Sequence, residues 1–135
     1  IPVFGSVVKR MGFIFIDRKN LAEAGKSVMQ SIAKLESGTS VFIFPEGMRS
    51  LTGQIGRFKP GAFVLARRTG VPIAPIGISG SFEANPYGWN FYPGTLKINF
   101  GQPIEPSEYA GLTIDGLSNL VKERIIQLSR TSSPD

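Results

Sequence analysis

The 135-residue sequence contains no cysteine and no histidine. Without cysteine, the chain has no disulfide, no thiolate nucleophile and no sulfur-rich metal site. Without histidine, it lacks the side chain that most often serves as a general base or a metal ligand. A serine hydrolase built on Ser79 is excluded for the same reason, because no histidine is present to activate the hydroxyl.

Long hydrophobic runs are also missing. No run approaches the roughly 18 apolar residues that a membrane span requires. The first residues do not have the signal-peptide layout of a basic start, an apolar middle and a small-residue cleavage site. We therefore expect any membrane contact of these residues to be peripheral. The sequence begins at Ile1 without an initiator methionine, as a segment of a longer protein would.

Positive charge is present and is unevenly distributed. The net charge is +5; residues 1–68 carry eleven Lys and Arg against four Asp and Glu, whereas residues 69–135 carry four against six. This bias suggests an anionic partner, such as phosphate, nucleic acid or an anionic membrane surface. An ordinary basic surface explains the charge equally well. Aromatic and basic side chains do not interleave in the manner of a nucleic-acid platform, so we expect no nucleic-acid partner.

Strand and helix patterns alternate along the chain. This order predicts the α/β class, with a mixed, largely parallel sheet flanked by helices. We interpret residues 80–94 as a long ordered loop and residues 101–112 as an irregular connection. Apolar runs predict strands and periodic apolar faces predict helices, over the following residues: strands 12–17, 41–44, 73–79 and 95–100; helices 20–37, 60–69 and 113–129.

Basic side chains follow two of the predicted strands. Arg18 comes after the strand at 12–17, and Arg49 comes shortly after the strand at 41–44. Binding sites of such sheets lie at the carboxyl ends of strands, so the two guanidinium groups could bind one phosphate or carboxylate. Lys59 and Arg57 would join them if the intervening loop folds back. The alternative is that each arginine pairs with a nearby acid.

Glu46 and Gly47 stand between the strand at 41–44 and Arg49. Glu46 could orient a hydroxyl, act as a base or hold the loop by accepting backbone N–H bonds; the last is the more common function of a lone glutamate beside an arginine. Gly47 permits a positive φ or the close approach of a ligand, and a tight turn explains it at least as well.

Four segments of the sequence form a set of motifs: GFIFIDR at 12–18, FPEGMRS at 44–50, FKPGAF at 58–63 and GVPIAPIGI at 70–78. In this order they resemble conserved blocks of the glycerolipid acyltransferase family, the lysophosphatidate (1-acyl-sn-glycerol-3-phosphate) acyltransferases and their relatives. The resemblance covers nearly the whole chain and is weakest after residue 103. It implies a glycerol-3-phosphate acyltransferase-like fold.

The resemblance implies transfer of an acyl group from acyl-CoA or acyl carrier protein to the free hydroxyl of lysophosphatidate, giving phosphatidate in phospholipid synthesis. The acyl thioester is a co-substrate, and no cofactor or metal is implied. The partners would be a lysophospholipid and the membrane surface, on its cytoplasmic face. By this resemblance the substrate-binding residues are Arg18, Glu46, Gly47, Arg49 and Lys59, and the residues that shape the site are Pro45, Ser50, Pro72 and Pro75.

The sequence departs from the family pattern in two places. Met48 stands where the family has threonine. The first block of the family, a histidine followed by four residues and an aspartate, is not in these 135 residues. We therefore expect residues 1–135 to be a single acyltransferase domain truncated at its N-terminus, with no catalytic residue of its own and no activity alone. The alternative is a non-catalytic phospholipid- or anion-binding module of the same fold.

Overall fold

The computed structural model describes residues 21–86 and 90–130. They fall into two compact units, one within Ile1–Phe42 and one within Ile43–Asp135, and each unit is described by itself. The prediction of a single acyltransferase domain stays a prediction.

Two predictions at the start of the chain lie outside the described residues. They are the strand at 12–17 and the arginine that follows it, Arg18.

The described part of the first unit is one helix and the turn that ends it. Helix α1 spans Leu21–Glu36, as its apolar period predicts. Gly38 has a φ of +82°, a left-handed conformation that glycine adopts without strain and that commonly ends helices. Ile32 is buried, as expected of the apolar stripe. The structure also buries Ser31, whose hydroxyl donates to the Ser27 carbonyl at 2.9 Å.

The second unit contains four helices and two strands among its described residues. The elements are α2 Gly61–Thr69, β1 Ile76–Ser79, α3 Ser81–Ala84, β2 Lys97–Phe100, α4 Pro106–Tyr109 and α5 Ile114–Arg130. Helices α3 and α4 are single turns that lie where the sequence predicts a loop and an irregular connection, so both predictions are wrong in part.

The local signals for α2 and α4 have the expected physical basis. Pro60 precedes α2, and its carbonyl accepts from the Phe63 and Val64 N–H groups. Gly70 ends the helix with a φ of +62°, as predicted. Helix α4 begins with a proline, and the Glu108 carboxylate accepts from the Glu105 N–H at 2.9 Å, which satisfies one of the donors that a helix start leaves open.

Strands β1 and β2 form an antiparallel pair, with Ile78 opposite Ile98. Among the described residues this is the sheet that forms, and the largely parallel arrangement stays a prediction. The predicted strand at 73–79 is shorter than expected. It is interrupted at Pro75, which has no N–H for a ladder, and upstream of it Ile73 makes an isolated antiparallel bridge to Ile104.

The apolar run at 41–44 is assigned to no strand, contrary to prediction. Phe42 and Phe44 are exposed rather than buried. Strand propensity measures how well a side chain packs on a pleated surface that is partly buried. A short apolar run is therefore not sufficient by itself to form a strand.

Helix α5 packs on β1 and organises the core of the second unit. Leu117 is fully buried, and Val121 is 4% exposed, which confirms the predicted apolar face. The rings of Phe58 and Phe63 stack with centroids 6.2 Å apart. The buried cluster consists of Phe58, Phe63, Ile104, Tyr109, Leu117 and Val121.

The contact with α5 decides which face of β2 is covered. The Asn99 side-chain amide donates to the Leu128 carbonyl on α5 at 2.8 Å, so Asn99 faces the helix. The alternating residues Ile98 and Phe100 are exposed. Side chains of β2 therefore alternate between two faces, and the solvated face is the apolar one. No helix within the described ranges is long and apolar enough to cross a membrane.

Candidate functional site

Residues 45–59, called here the Glu46 loop, form a closed loop that carries most of the predicted site residues. Its two ends are joined because the Lys59 N–H donates to the Pro45 carbonyl at 2.8 Å. A second bond crosses the loop, from the Gly56 N–H to the Glu46 carboxylate at 2.8 Å. Glu46 is therefore placed as a brace between the two sides of the loop.

Gly47 has a φ of +71°, which is one of the uses that the sequence allows for a glycine here. Its N–H donates to the Phe44 carbonyl at 3.1 Å, which forms a tight turn. A side chain at this position would strain the backbone. The turn lies at Pro45 and Glu46, and Glu46 and Arg49 bond to different partners.

Arg49 is exposed, and it bonds to an amide rather than to a carboxylate. Its Nη1 donates to Oδ1 of Asn85 at 2.7 Å. Glu46 is bonded instead to the Gly56 N–H, so the alternative of an Arg49–Glu46 pair is not what the structure shows. A guanidinium has five N–H donors, and the bond to Asn85 uses one of them.

The tip of the Glu46 loop is a turn held by hydroxyl groups. The Ser50 hydroxyl donates to the Gln54 carbonyl at 2.7 Å and accepts from the Thr52 N–H at 3.3 Å. Gly53 lies against α3, since a side chain there would come within 3.0 Å of the Phe82 ring. Ser50 thus shapes the loop, and Gly53 lets the loop rest on α3.

The remaining predicted residues are not all brought together. Lys59 shares the base of the loop with Pro45, but its link there is through the backbone, and its side chain is exposed. Pro72 is exposed and Pro75 is buried in the segment before β1, where the Pro75 carbonyl accepts from the Gly101 N–H at 2.9 Å.

Sequence reasoning missed Asn85, which follows α3 and contacts Arg49 across 36 positions of sequence. The Asn85-Pro86 dipeptide indicates only a turn in the sequence. Nothing local signals the contact, because it depends on how the Glu46 loop lies against α3.

A polar cleft of about 240 Å³ lies beside α5. It includes Arg57, but Glu46, Gly47 and Arg49 are not among its lining residues. Lys122 is placed with its Nζ 6.0 Å from the centroid of the Phe58 ring, at the distance of a weak cation–π contact. The lining residues are Arg57, Phe58, Asp115, Ser118, Asn119 and Lys122.

The sequence model of the Acyltransferase family matches residues 1–79, which is more than half of the chain and includes the whole Glu46 loop, α2 and β1. The chain therefore belongs to the acyltransferase family, and the resemblance seen in its motifs is confirmed.

Particular relatives are 1-acyl-sn-glycerol-3-phosphate acyltransferases. The chloroplastic enzyme of Brassica napus is 34% identical over 125 residues, covering 91% of this chain and 36% of the relative. The probable enzyme of Mycoplasma pneumoniae is 44% identical over 131 residues, covering 90% of this chain and 48% of the relative. The chain thus spans about a third to a half of the length of these curated relatives.

A solved structure supports the fold. The crystal structure of the 1-acyl-sn-glycerophosphate (LPA) acyltransferase PlsC from Thermotoga maritima matches with a TM-score of 0.81 and 26% sequence identity. The match covers 100% of this chain and 54% of that one. The chain therefore has the acyltransferase fold.

Proposed function

We propose that the chain carries the acceptor-phosphate site of a lysophosphatidate acyltransferase. The names of the relatives support this reaction. The single observation that carries the site assignment is the exposed Arg49 guanidinium, held at 2.7 Å by a neutral side chain. Because the acceptor is neutral, it does not offset the positive charge of Arg49. The other N–H donors of the guanidinium suit a phosphate.

In the proposed reaction, the free hydroxyl of lysophosphatidate attacks the carbonyl carbon of an acyl thioester. A C–O ester bond forms, the C–S bond breaks, and the thiol of coenzyme A or acyl carrier protein leaves with the proton that the hydroxyl loses. Arg49 binds the acceptor's phosphate, together with Arg18 and Lys59. Gly47 lets the phosphate approach the backbone, while Glu46 keeps the Glu46 loop closed through Gly56. Pro45 and Ser50 shape that loop, and Pro72 and Pro75 shape the neighbouring segment.

The general base of this reaction is proposed to lie outside these 135 residues, because the sequence contains no histidine. Loss of a positioned base costs about 10²–10⁴ in rate. Glu46 is a poor candidate for that function, since its carboxylate already accepts the Gly56 N–H. We therefore expect little or no turnover by the 135 residues alone.

Acyl transfer from labelled acyl-CoA to lysophosphatidate tests the proposal. The 135 residues would be compared with the protein expressed from its natural reading frame. Activity in the latter alone supports the proposal, whereas comparable turnover by the 135 residues contradicts the placement of the base.

The contribution of Arg49 is tested in the natural protein with Arg49→Ala. We expect the KM for lysophosphatidate to rise by about tenfold or more, because a charge-assisted bond to phosphate is lost. Arg68→Ala removes an equal charge from the exposed end of α2 and is the matched control. An unchanged KM in Arg49→Ala would refute the assignment.

The second candidate is a non-catalytic phospholipid- or anion-binding module of the same fold. The observation that favours it is the absence of histidine from the sequence. Binding of lysophosphatidate without acyl transfer by the natural protein would support this candidate.

We also propose that the chain works at the cytoplasmic face of a membrane, as a peripheral protein. Two apolar side chains of the Glu46 loop support this, since Met48 is 74% and Leu51 is 70% exposed. Phe91 and Tyr92 are also exposed, so they do not form a buried aromatic cluster. Tyrosine side chains such as Tyr92 favour the membrane interface.

A further inference from the structure

The hydrogen bond between Arg49 and Asn85 joins the Glu46 loop to the end of α3. We infer that Asn85 is a positioning residue, which orients the Arg49 guanidinium towards the phosphate of the acceptor. This inference rests on the proposed function, because it assumes that Arg49 binds that phosphate. Asn85 belongs to none of the motif segments by which the family resemblance was established.

The orientation of the Asn85 amide is set by a second hydrogen bond. Its Nδ2 donates to the Asn90 carbonyl at 3.0 Å. An amide nitrogen has no acceptor function, so with Nδ2 directed at Asn90, the oxygen Oδ1 is directed at Arg49. The amide therefore presents an acceptor to the guanidinium.

The backbone around Asn85 is held as well. The Asn85 N–H donates to the Ser81 carbonyl at 3.2 Å, which ends α3, and the Tyr92 N–H donates to the Ala84 carbonyl at 2.8 Å. These bonds tie Asn85 to the end of α3, and they tie the segment that contains Asn90 to the same place. Asn85 is thus a fixed point on which the long and otherwise exposed Arg49 side chain is held.

The neutrality of Asn85 matters to the charge of the site. A carboxylate in the same place would also hold the guanidinium, but it would offset the positive charge and compete with a phosphate for it. The Asn85 amide orders the Arg49 side chain before the phosphate binds. This lowers the conformational entropy that Arg49 loses on binding. It does so without lowering the attraction for an anion.

Steady-state kinetics of the natural protein test the inference with two variants. For Asn85→Ala, we expect the KM for lysophosphatidate to rise about three- to tenfold, while the KM for acyl-CoA and kcat stay within about twofold, as for a lost binding contribution. For Asn85→Asp, which is nearly isosteric, we expect a larger rise, because the added carboxylate neutralises Arg49. Asn119→Ala, which removes an exposed amide from α5, is the matched control.

A double-mutant cycle shows whether Asn85 acts through Arg49. With Arg49→Ala already in place, Asn85→Ala should produce no further rise in the KM for lysophosphatidate. Inhibition by glycerol 3-phosphate is a second measurement, and we expect it to weaken in Asn85→Asp by the same factor as lysophosphatidate binding. A purely structural function of Asn85 would lower the affinity for acyl-CoA as well, and its effect would persist in the Arg49→Ala background.

The outcomes separate the inference from the proposed function. If Arg49→Ala leaves the KM for lysophosphatidate unchanged, the proposed function of Arg49 is wrong. If Arg49→Ala raises that KM and neither Asn85 variant does, the inference is overturned and the proposed function stands. An equal loss of affinity for acceptor and donor in the Asn85 variants, or a further effect on top of Arg49→Ala, also overturns the inference. If Asn85→Ala does not fold, Asn85→Asp carries the same comparison.

Discussion

At the scale of single residues, side chains of the Glu46 loop that are close in sequence make different contacts. Glu46 accepts a backbone N–H from Gly56, and Arg49 donates to Asn85. Gly47, which stands between them in sequence, has a positive φ. The Glu46 carboxylate and the Arg49 guanidinium therefore form separate hydrogen bonds. The first closes the Glu46 loop, and the second orders the proposed phosphate site.

Replacement of Glu46 distinguishes a bracing carboxylate from a catalytic one. In Glu46→Gln, the amide oxygen still accepts from the Gly56 N–H, so we expect activity within a few-fold of the natural protein. In Glu46→Ala, the acceptor is lost, and we expect the KM for lysophosphatidate to rise about tenfold, since a hydrogen bond to a charged group contributes about 1.5–3 kcal/mol. The measurement is acyl-transfer kinetics, and near-complete inactivation of Glu46→Gln would contradict a purely bracing function.

Tyr109 is a second residue whose contacts predict a measurable effect. It is 2% exposed, and its hydroxyl donates to the Val71 carbonyl at 2.7 Å. Burial, together with the negative charge of Glu105, raises the pKa of Tyr109 above its ordinary value of 10.0. In the folded state the Tyr109 phenol therefore stays protonated at pH values where the same phenol in the unfolded chain begins to lose its proton.

The raised pKa makes stability depend on pH in the alkaline range. The contribution of Tyr109 is complete below about pH 10 and is lost as pH rises from there through the folded-state pKa. We expect Tyr109→Phe to lower the free energy of unfolding by about 1 kcal/mol at pH 7. Above pH 10, the free energy of unfolding of this variant should fall less steeply than that of the natural protein. Urea unfolding of both proteins between pH 7 and 11 measures this, and parallel declines would contradict it.

At the scale of elements, the contact between β1 and α5 depends on a glycine. A Cβ at Gly77 would lie 2.6 Å from Cβ of Leu128 and 2.7 Å from the backbone nitrogen of Ser129. These distances are too short for any side chain, so α5 approaches β1 closely only because the strand has no side chain there. The residue opposite Gly77 in the sheet is Asn99, whose amide bonds the same helix through Leu128.

Substitution of this glycine should separate the helix from the strand. We expect Gly77→Ala to lower the free energy of unfolding by about 1–3 kcal/mol or more, the usual range for overpacking, because the clash involves the helix backbone. Gly111→Ala is the matched control, since a Cβ there meets no atom within 4 Å. Thermal and urea unfolding compare the two, and equal stability of both variants would refute this account of the packing.

At the scale of the whole molecule, apolar and basic surfaces together suggest contact with an anionic membrane. The Glu46 loop lies against α3, and the segment containing Tyr92 is bonded to α3 through Ala84. Both segments therefore contact the same short helix, and both carry exposed apolar side chains, Met48 among them. The net charge of +5 adds attraction for anionic lipid, at about 1 kcal/mol for each nearby Lys or Arg.

Vesicle binding tests this proposal. We expect the protein to co-sediment with vesicles that contain phosphatidylserine and to be released as salt is raised, because the attraction is screened. The double variant Met48→Ser, Leu51→Ser should bind several-fold more weakly. Met29→Ser, an exposed methionine on α1, is the control. Equal binding of all three proteins would contradict a membrane contact through the Glu46 loop.

Much of the fold follows from local signals. The glycines after α1 and α2 end those helices because a left-handed residue is needed there, and the apolar period of α5 predicts its buried face. The short helices α3 and α4 were not predicted, since single turns lack a period long enough to detect. The run at 41–44 shows the opposite error, because hydrophobicity predicts burial only where a partner covers the surface.

The candidate site was predictable to a similar extent. The motif at 44–50 indicates Glu46, Gly47 and Arg49 from the sequence alone. The strand-end rule indicates the same residues, but the strand at 41–44 on which it rests is not formed. Neither indicates Asn85, because its contact with Arg49 joins residues 36 positions apart and depends on the folding of the Glu46 loop onto α3.

The sequence by itself determined the family, the ends of the long helices and the residues of the proposed phosphate site, because these depend on short motifs and on the conformational limits of glycine and proline. The tertiary structure decided that Glu46 braces its loop, that Arg49 is held by Asn85, and that Ile98 and Phe100 are exposed. The physical reason is that a hydrogen bond or a buried face needs a partner, and the partner is supplied by residues that are distant in sequence.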